Sequence, residues 1–346
     1  MKQFILLSAI VCIAFVANAK IWRVNNNAGV MADFTDMPAV FAGGSGVNND
    51  DTIHIEASAV VYTFFTMNKR LVIIGTGYFL SGANGNPGLQ ANTNPATLDY
   101  CFLDTLASGS QFIGINFSNG IYSANGQGAD NITITRCKLS NVNMGYSSPS
   151  AGADYTGWII NKCYITTFTA NSRPVKNAAI TNTVCTSTFD LSNTGDLNNL
   201  VRNNVFRAAI NINNTYFSNN IIVAGSFTST SSSVKNNTCI GNAPAGFATF
   251  VGVNGNVAGE LDANVFQGLA GNSSDGQWRL KAGSQAIGTG ETINSITPDR
   301  GAFGTADPYI LSGIAPVPTI YSLTVPASVA SSATTMPITV STKSNN

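Results

Sequence analysis

A short phrase recurs through the middle of the chain and limits the folds that the chain can adopt. Each copy places an apolar residue before two or three mostly polar residues, often asparagines, and an apolar residue after them. The copies are residues 134–139, 160–165, 180–185, 201–206, 217–222, 234–239 and 261–266. They begin roughly 16 to 27 residues apart, a spacing typical of solenoid proteins. A chain with this period buries its apolar residues by stacking each repeat on the next.

The phrase predicts short strands that meet at a tight corner. Val, Ile, Phe, Tyr and Thr favour strands, and stripes of helical period are absent. Asparagine tolerates the left-handed backbone angles of a corner and can hydrogen-bond its own backbone. Because stacked rungs lie about 4.8 Å apart, asparagines in one slot can hydrogen-bond along the stack. The predicted members of this asparagine ladder are Asn204, Asn220, Asn237 and Asn264.

The sequence therefore predicts an all-β fold, a right-handed parallel β-helix (solenoid) of about ten rungs over residues 20–305. A β-sandwich or a propeller is the alternative. A sandwich would show hairpin signals, and a propeller blade needs about 40 to 50 residues. Both alternatives fit the observed spacing less well than a β-helix does.

The two ends of the stack differ from the middle. Residues 33–41 indicate a short N-terminal capping helix, with Thr35 or Asp33 as its N-cap, over the first rung. Prolines interrupt the repeat after about residue 305. Residues 306–346 are therefore expected to form a C-terminal β tail that packs along or caps the last rung. A fragment of a β-sandwich module is the alternative for this tail.

The N-terminus is typical of an export signal. Lys2 precedes an apolar run over residues 4–16, and residues 17–19 fit the small-x-small cleavage pattern. We expect a signal peptide over residues 1–19, cleavage after Ala19, and a protein that is secreted or held at the cell surface. The run is too short for a comfortable membrane span, and no later segment is long enough.

Charge is scarce and balanced in this chain. Charged residues make up 10% of it, with 17 basic and 17 acidic side chains. Without net charge the chain does not attract nucleic acid at long range, so nucleic acid is not an expected partner. No two cysteines have Cys-x-x-Cys spacing, and His54 is the only histidine, so no metal site is expected. The five cysteines beyond residue 19 are expected to be free and inward-facing.

The repeats resemble a known group of proteins. Residues 132–137 and 201–206 look like rungs of the right-handed parallel β-helix, or pectate-lyase-like, superfamily. Residues 280–290 and 299–303 look like the closing rung of its secreted bacterial members, with Gln285 and Gly288 replacing the usual Pro and Asp. The resemblance covers about residues 25–305. It implies the fold, and it implies kinship with polysaccharide lyases, glycoside hydrolases and esterases.

The catalytic motifs of these enzymes do not match this sequence. No Asn-Thr-Asp or Gly-His-Gly motif lies on a rung, and Asp50-Asp51 comes too early in the chain. Residues 173–176 fail the Arg-x-Pro-x-x-Arg spacing of pectate lyases. No catalytic residue can therefore be assigned, and no cofactor is expected unless the protein is a lyase, which could use calcium.

Basic and aromatic residues supply the candidate ligand surface. Arg136 and Lys162 share one slot in adjacent rungs, so a basic strip could hold an acidic polysaccharide. Solubility and edge protection are the alternative role of these cations. Aromatic rings can present an apolar face to a sugar, although packing is their commoner role. The candidate ligand-binding residues are Arg136, Asp154, Trp158, Lys162, Tyr164 and Arg173.

Two functions remain open at this point. The first is a monomeric secreted or cell-surface rod that binds a polysaccharide or a surface component without catalysis. The second is a polysaccharide lyase or glycoside hydrolase with a non-standard active site. The missing motifs favour the first. A lyase needs a base with cations, and a hydrolase needs two carboxylates around one bond, so convergence of such groups would distinguish the two.

Overall fold

The computed structural model describes residues 19–123, 128–144, 154–170, 174–193 and 198–345. Within these ranges the chain forms the predicted right-handed parallel β-helix, in which strands of successive rungs pair in parallel. Two long sheets, here called A and B, form its main walls. The expected export signal lies outside the described residues except for Ala19.

Sheet A contributes one short strand to each rung and has ten strands. They are β1 (Ile21–Val24), β2 (Thr52–Ile55), β4 (Val72–Ile74), β6 (Gln111–Ile113), β8 (Thr133–Thr135), β11 (Ile159–Asn161), β14 (Ala179–Thr181), β16 (Asn199–Arg202), β19 (Thr215–Ser218) and β22 (Ser233–Lys235). The ten strands agree with the expected number of rungs.

Sheet B has twelve strands because its later rungs split one long strand into two. They are β3 (Phe65–Met67), β5 (Thr97–Leu103), β7 (Asn116–Ser123), β9 (Lys138–Asn143), β12 (Tyr164–Thr169), β15 (Val184–Leu191), β17 (Val205–Arg207), β18 (Ala209–Asn213), β20 (Ile221–Ala224), β21 (Phe227–Thr230), β23 (Thr238–Ile240) and β24 (Val257–Glu260). Both β17 and β18 pair with β15, which marks the split.

Smaller elements complete the described chain. Two short parallel strands, β10 (Tyr155–Thr156) and β13 (Val175–Lys176), pair beside the main sheets. An antiparallel hairpin of β25 (Thr319–Thr324) and β26 (Thr339–Lys343) ends the chain. The α-helices are α1 (Met37–Phe41), α2 (Ala245–Ala248) and α3 (Asp262–Val265). Three short 3₁₀ helices span Thr105–Ala107, Gly276–Trp278 and Leu311–Gly313.

The core is a stack of side chains that alternate inward along the strands. Aromatic rings continue from rung to rung: Phe168 lies 4.9 Å from Phe189, and Phe189 lies 5.0 Å from Phe206, measured between ring centroids. All three rings are buried. Burying one such side chain stabilises the fold by about 1.5–3 kcal/mol, so the aromatic stack contributes strongly to the middle rungs.

The corner from sheet A to sheet B uses left-handed backbone in successive rungs. The column of left-handed residues is Gly114, Arg136, Lys162, Asn182, Asn203, Asn219 and Asn236. Asparagine and glycine adopt this conformation most readily, which explains the polar pairs in the repeated phrase. The residue after each left-handed one turns inward, and this second column contains the ladder.

Asn204, Asn220 and Asn237 form a buried hydrogen-bonded ladder. The main-chain N–H and Nδ2 of Asn204 both donate to Oδ1 of Asn220, at 2.9 and 3.0 Å. Asn220 donates to Oδ1 of Asn237 through the same two groups at the same distances. Nδ2 of Asn220 also donates to the Val201 carbonyl at 3.0 Å. Each amide therefore joins side chain and main chain across adjacent rungs.

The ladder continues through Asn256 and not through Asn264, which corrects the sequence-based assignment. Oδ1 of Asn256 accepts bonds from the N–H and Nδ2 of Asn237, at 3.0 and 2.9 Å. Asn264 is exposed and lies in α3. The assignment failed because Gly255 is inserted between the left-handed Asn254 and the inward Asn256. Because of this extra residue, the last corner does not match the repeated phrase. Residues 261–266 do match the phrase, although they do not form a corner.

The N-terminal capping helix is present, with a different N-cap from the one expected. The Met37 N–H donates to Oδ1 of Asp36 at 2.7 Å, so Asp36 is the N-cap. Asp33 instead accepts a bond from the Arg23 N–H at 2.8 Å. Helix α1 buries Met37 and Val40, so it covers the apolar interior at the first rungs.

Residues 289–315, here called the strap, run back along the A–B corner instead of closing the last rung. Nδ2 of Asn203 donates to the Asp299 carbonyl at 2.8 Å, and near the other end the Tyr78 N–H donates to the Ser312 carbonyl at 2.9 Å. The predicted closing rung at 299–303 is therefore wrong. The predicted C-terminal β tail is present as the hairpin of β25 and β26, but the tail contacts earlier rungs and neither packs along nor caps the last rung. Polar side chains follow one another along the corner, and the strap supplies their hydrogen-bond partners.

A second apolar cluster lies between the strap region and the outer surface of sheet B. Val184, Val205 and Ile221 begin successive strands and point outward at the corner. Phe266 and Trp278 cover them from the C-terminal region, and their rings meet edge to face at 5.4 Å. The corner end of sheet B is therefore buried on both faces.

The five described cysteines are free and buried. Cys137 and Cys163 occupy the inward column of the corner in adjacent rungs, in line with the asparagine ladder. Burial raises the pKa of the Cys163 thiol to about 12. These thiols therefore serve as small apolar side chains in the stack.

Candidate functional site

The strap covers the cations that the sequence predicted as an open basic strip. Lys162 is buried, and its Nζ pairs with the Asp307 carboxylate. Nη1 of Arg136 donates to the Ile314 carbonyl at 2.8 Å. The two residues do lie in adjacent rungs, as expected. Because the chain's own strap is their partner, they do not form an accessible surface for an acidic polysaccharide.

The other candidate ligand-binding residues do not converge on one surface. Trp158 is only 1% exposed, and its Nε1 donates to the Ala129 carbonyl at 2.7 Å, so its ring belongs to the core. Tyr164 meets Phe79 edge to face at 5.2 Å, and burial raises the pKa of its hydroxyl. Asp154 pairs with Lys176 at 2.6 Å. Arg173 lies outside the described residues.

The carboxylates that could serve catalysis have separate turn-stabilising partners. Asp104 accepts a bond from the Leu106 N–H at 3.2 Å, and Asp130 accepts one from the Thr156 N–H at 2.8 Å. In the described ranges, no group of three or more His, Cys, Asp or Glu side chains could hold a metal ion.

The outward surface of sheet B beyond the strap carries aromatic, amide and hydroxyl side chains in two columns. Strand alternation produces them, because residues such as Cys101 and Leu103 turn inward. The register aligns Phe102, Tyr122, Asn143, Thr169 and Asp190 in one column and Tyr100, Gly120, Asn141, Thr167 and Thr188 in the other. We call these ten residues the B face. It spans five rungs, about 19 Å at about 4.8 Å per rung.

Three aromatic rings form one end of the B face. Tyr100 lies 5.4 Å from Tyr122 and 6.0 Å from Phe102, and Phe102 lies 5.8 Å from Tyr122, between ring centroids. All three side chains are partly exposed. Tyrosine combines an apolar ring with a polar tip, so this end can both stack on a ligand and hydrogen-bond to it.

The remaining B face is polar but nearly uncharged. Its one acidic side chain, Asp190, accepts bonds from the N–H and hydroxyl of Ser192, at 3.0 and 2.6 Å. The other side chains beyond the rings are amides and hydroxyls, which both donate and accept hydrogen bonds. Such a surface suits a ligand rich in hydroxyl groups and without charge.

The sequence interpretation missed the aromatic group because it sought aromatics that are close in sequence. Tyr164 and Trp158 come from one rung, yet one packs at the corner and the other is buried. Tyr100 and Phe102 join Tyr122 from the neighbouring rung. The alternation of residues 100–103, with aromatics at every second position, was the signal that could have revealed them.

His54 offers a pH-dependent test of the described packing. It is the only histidine, so its ring gives a single titration in an NMR spectrum. Burial lowers the pKa of His54 from its ordinary value of 6.5, and the Glu56 carboxylate opposes this shift. We expect a pKa below 6.5, and a still lower pKa in Glu56→Gln because the opposing charge is gone.

The same shift has a defined effect on stability. The pKa of His54 is depressed in the folded state. Its contribution to the free energy of unfolding is therefore fully present above pH 6.5, and it is lost as the pH falls through the folded-state pKa. A measured pKa at or above 6.5, or a rise in Glu56→Gln, would contradict the described environment of the ring.

Comparisons with known proteins assign this chain to no family. No protein-family model matches the chain, and no curated protein matches it. A search of solved structures finds the crystal structure of pectate lyase Pel9A, which is 16% identical in sequence with a TM-score of 0.36. The alignment covers 82% of this chain and 96% of that chain. Among the described helices, none has the length and hydropathy needed to cross a membrane.

Proposed function

We propose that this protein is an exported β-helix that binds a neutral polysaccharide on the B face without cleaving it. The observation that carries the proposal is the arrangement of three partly exposed aromatic rings beside columns of amides and hydroxyls. The columns follow the axis of the stack, so the surface repeats along one direction. A linear polymer with repeated hydroxyl groups matches that repetition.

The charge of the B face supports a neutral ligand over a uronate. None of its ten residues carries a cation, and its one carboxylate is engaged by Ser192. The cations that could have bound an acidic chain, Arg136 and Lys162, contact the strap. An acidic polysaccharide would therefore meet no complementary charge on this surface.

Binding without cleavage is favoured by the placement of the acidic groups. A hydrolase needs two carboxylates on either side of the scissile bond. Asp190 is the only carboxylate on the B face, and Asp99, one rung from Tyr122, is bonded to Asn119. A polysaccharide lyase or glycoside hydrolase with a non-standard active site is the alternative, and the test below includes it.

The proposal predicts that Tyr122→Ala weakens binding to a neutral glucan, mannan or galactan by about tenfold, the effect of about 1.4 kcal/mol. The loss follows because the removed ring contacts both of the other rings of the aromatic group. Affinity electrophoresis of the purified protein measures the binding, and Tyr321→Ala, in the hairpin, is the control. Circular dichroism checks that each variant is folded.

The same experiment separates the alternatives. Equal binding by wild type and Tyr122→Ala would contradict the assignment to the B face. Shortening of the polymer during incubation would show an enzyme, and tighter binding of pectate or alginate than of neutral polymers would overturn the charge argument.

A further inference from the structure

A second candidate site lies on sheet A, apart from the B face. A cavity of about 870 Å³ opens between the first rungs, the loop at residues 90–93 and the C-terminal hairpin. One wall consists of outward side chains of sheet A, and the facing wall consists of aliphatic side chains from residues 317–323. The volume lies within the range of about 300–1,000 Å³ that is common for small-molecule sites.

The walls are held together by hydrogen bonds. Arg23 pairs in register with His54, and His54 with Ile74, so these three side chains stand side by side. The Ala91 N–H donates to the Ile320 carbonyl at 2.8 Å, which ties the loop to the hairpin. The loop is also anchored to the corner, because Nε2 of Gln90 donates to the Thr76 carbonyl. The cavity is therefore formed by elements that are fixed to one another.

The polar wall carries charges that cancel. Nε of Arg23 donates to Oε1 of Glu56 at 2.5 Å, and Nδ2 of Asn25 donates to Oε2 at 2.5 Å. His54 adds a donor and an acceptor beside this pair when its ring is neutral. A bound anion or cation would have to compete with the ion pair that is already formed. The wall thus favours a neutral ligand with several hydroxyl groups.

The opposite wall is aliphatic. Ile320 and Leu323 are 48% and 52% exposed and line the cavity with Val317. A ligand that fits both walls needs a hydrogen-bonding edge and an apolar face. Sugar rings have this combination, since their hydroxyls lie at the edge and their C–H groups form the faces.

We propose that this cavity binds one neutral mono- or disaccharide unit. The inference does not depend on the B face, because the two sites lie on different sheets and share no residue. The unit can be a free sugar or the end of a longer chain, and both have the same chemistry at the cavity.

Saturation-transfer NMR and calorimetry with neutral sugars test the proposal. The probes are the methyl glycosides of glucose, galactose and mannose, their disaccharides, and the matching glucuronide and galacturonide. We expect at least one neutral probe to bind at millimolar concentration or better. Glu56→Gln and Leu323→Asp should each weaken this binding at least tenfold.

Matched controls distinguish the cavity from general effects. Asp50→Asn removes the carboxylate of a similar exposed pair with Arg70, outside the cavity, and should leave binding unchanged. Val329→Asp changes an exposed residue between the two hairpin strands that does not line the cavity and should also be neutral. Circular dichroism and thermal melting verify that all four variants are folded.

Each outcome decides the proposal. Failure of every neutral probe, binding that is unaffected in both folded cavity variants, or tighter binding of a uronide would overturn it. Loss of sugar binding in Tyr122→Ala alone would place the sugar on the B face, which rejects the cavity and leaves the proposed function standing. A tetrasaccharide that binds as well as the disaccharide identifies a chain end as ligand, and one that fails identifies a free sugar; both support the cavity.

Discussion

Replacing Asn220 with leucine is expected to lower the free energy of unfolding by about 3–5 kcal/mol, because several buried polar groups lose partners worth about 1–3 kcal/mol each. Leucine has nearly the same shape but neither donor nor acceptor. The N–H and Nδ2 of Asn204 lose their shared acceptor, and the Val201 carbonyl and Oδ1 of Asn237 lose a donor. These groups have no access to water at this position, since Asn220 is fully buried.

Urea-induced unfolding, followed by circular dichroism and by tryptophan fluorescence, measures the change. Asn264→Leu is the matched control, because the same substitution in exposed helix α3 should stay within about 0.5 kcal/mol of wild type. Two probes are needed, since a solenoid broken in its middle rungs can unfold in more than one step. An Asn220→Leu protein as stable as wild type would show that the ladder bonds contribute little.

The ladder was predictable because its cause is local. Each corner needs one left-handed residue followed by one inward residue, and asparagine pairs satisfy both conditions at Asn203-Asn204 and Asn219-Asn220. The phrase therefore fixes the slot without knowledge of the rest of the chain. Gly255 shows the limit of this reasoning, because one inserted residue moved the last member beyond the pattern.

The strap was not predictable because its partners are distant in sequence. Lys162 and Asp307 are 145 residues apart, and Arg136 and Ile314 are 178 residues apart. Nothing in the phrase around either cation indicates that residues 289–315 return to the corner. The sequence placed the two cations correctly in adjacent rungs, and its error was to treat that surface as open.

The B face could be predicted from the sequence only in part. Its register follows from the same stacking that produced the ladder, so the alignment of Tyr122 with Asn143 was available once the rungs were numbered. The early rungs carry the long segment between β4 and β5 and lack the repeated phrase. The pairing of Tyr100 and Phe102 with the next rung therefore required the structure.

Arg300 is the residue whose loss should release the strap. It is 5% exposed, and within the described residues its guanidinium donates to neutral acceptors. Nη1 donates to the Asn237 carbonyl and to Oγ1 of Thr238, both at 3.0 Å, and Nη2 donates to the Gly255 and Thr289 carbonyls at 3.0 and 2.8 Å. Burial without a carboxylate lowers the pKa of Arg300 to about 10. The planar fork therefore joins the strap to the main chain of the last rungs.

Arg300→Met is expected to destabilise the protein by about 3–4 kcal/mol, because hydrogen bonds to a charged group contribute about 1.5–3 kcal/mol each and several carbonyls lose their donor. Arg300→Lys should not restore stability, since an ammonium cannot reproduce the planar fork. The exposed Arg279 supplies the control, and Arg279→Met should stay within about 0.5 kcal/mol of wild type. Hydrogen exchange gives the second readout: in Arg300→Met the amides of residues 289–315 should exchange faster, while those of the aromatic stack at Phe168 and Phe189 remain protected. Unchanged exchange in the strap would show that the apolar cluster around Phe266 holds it without Arg300.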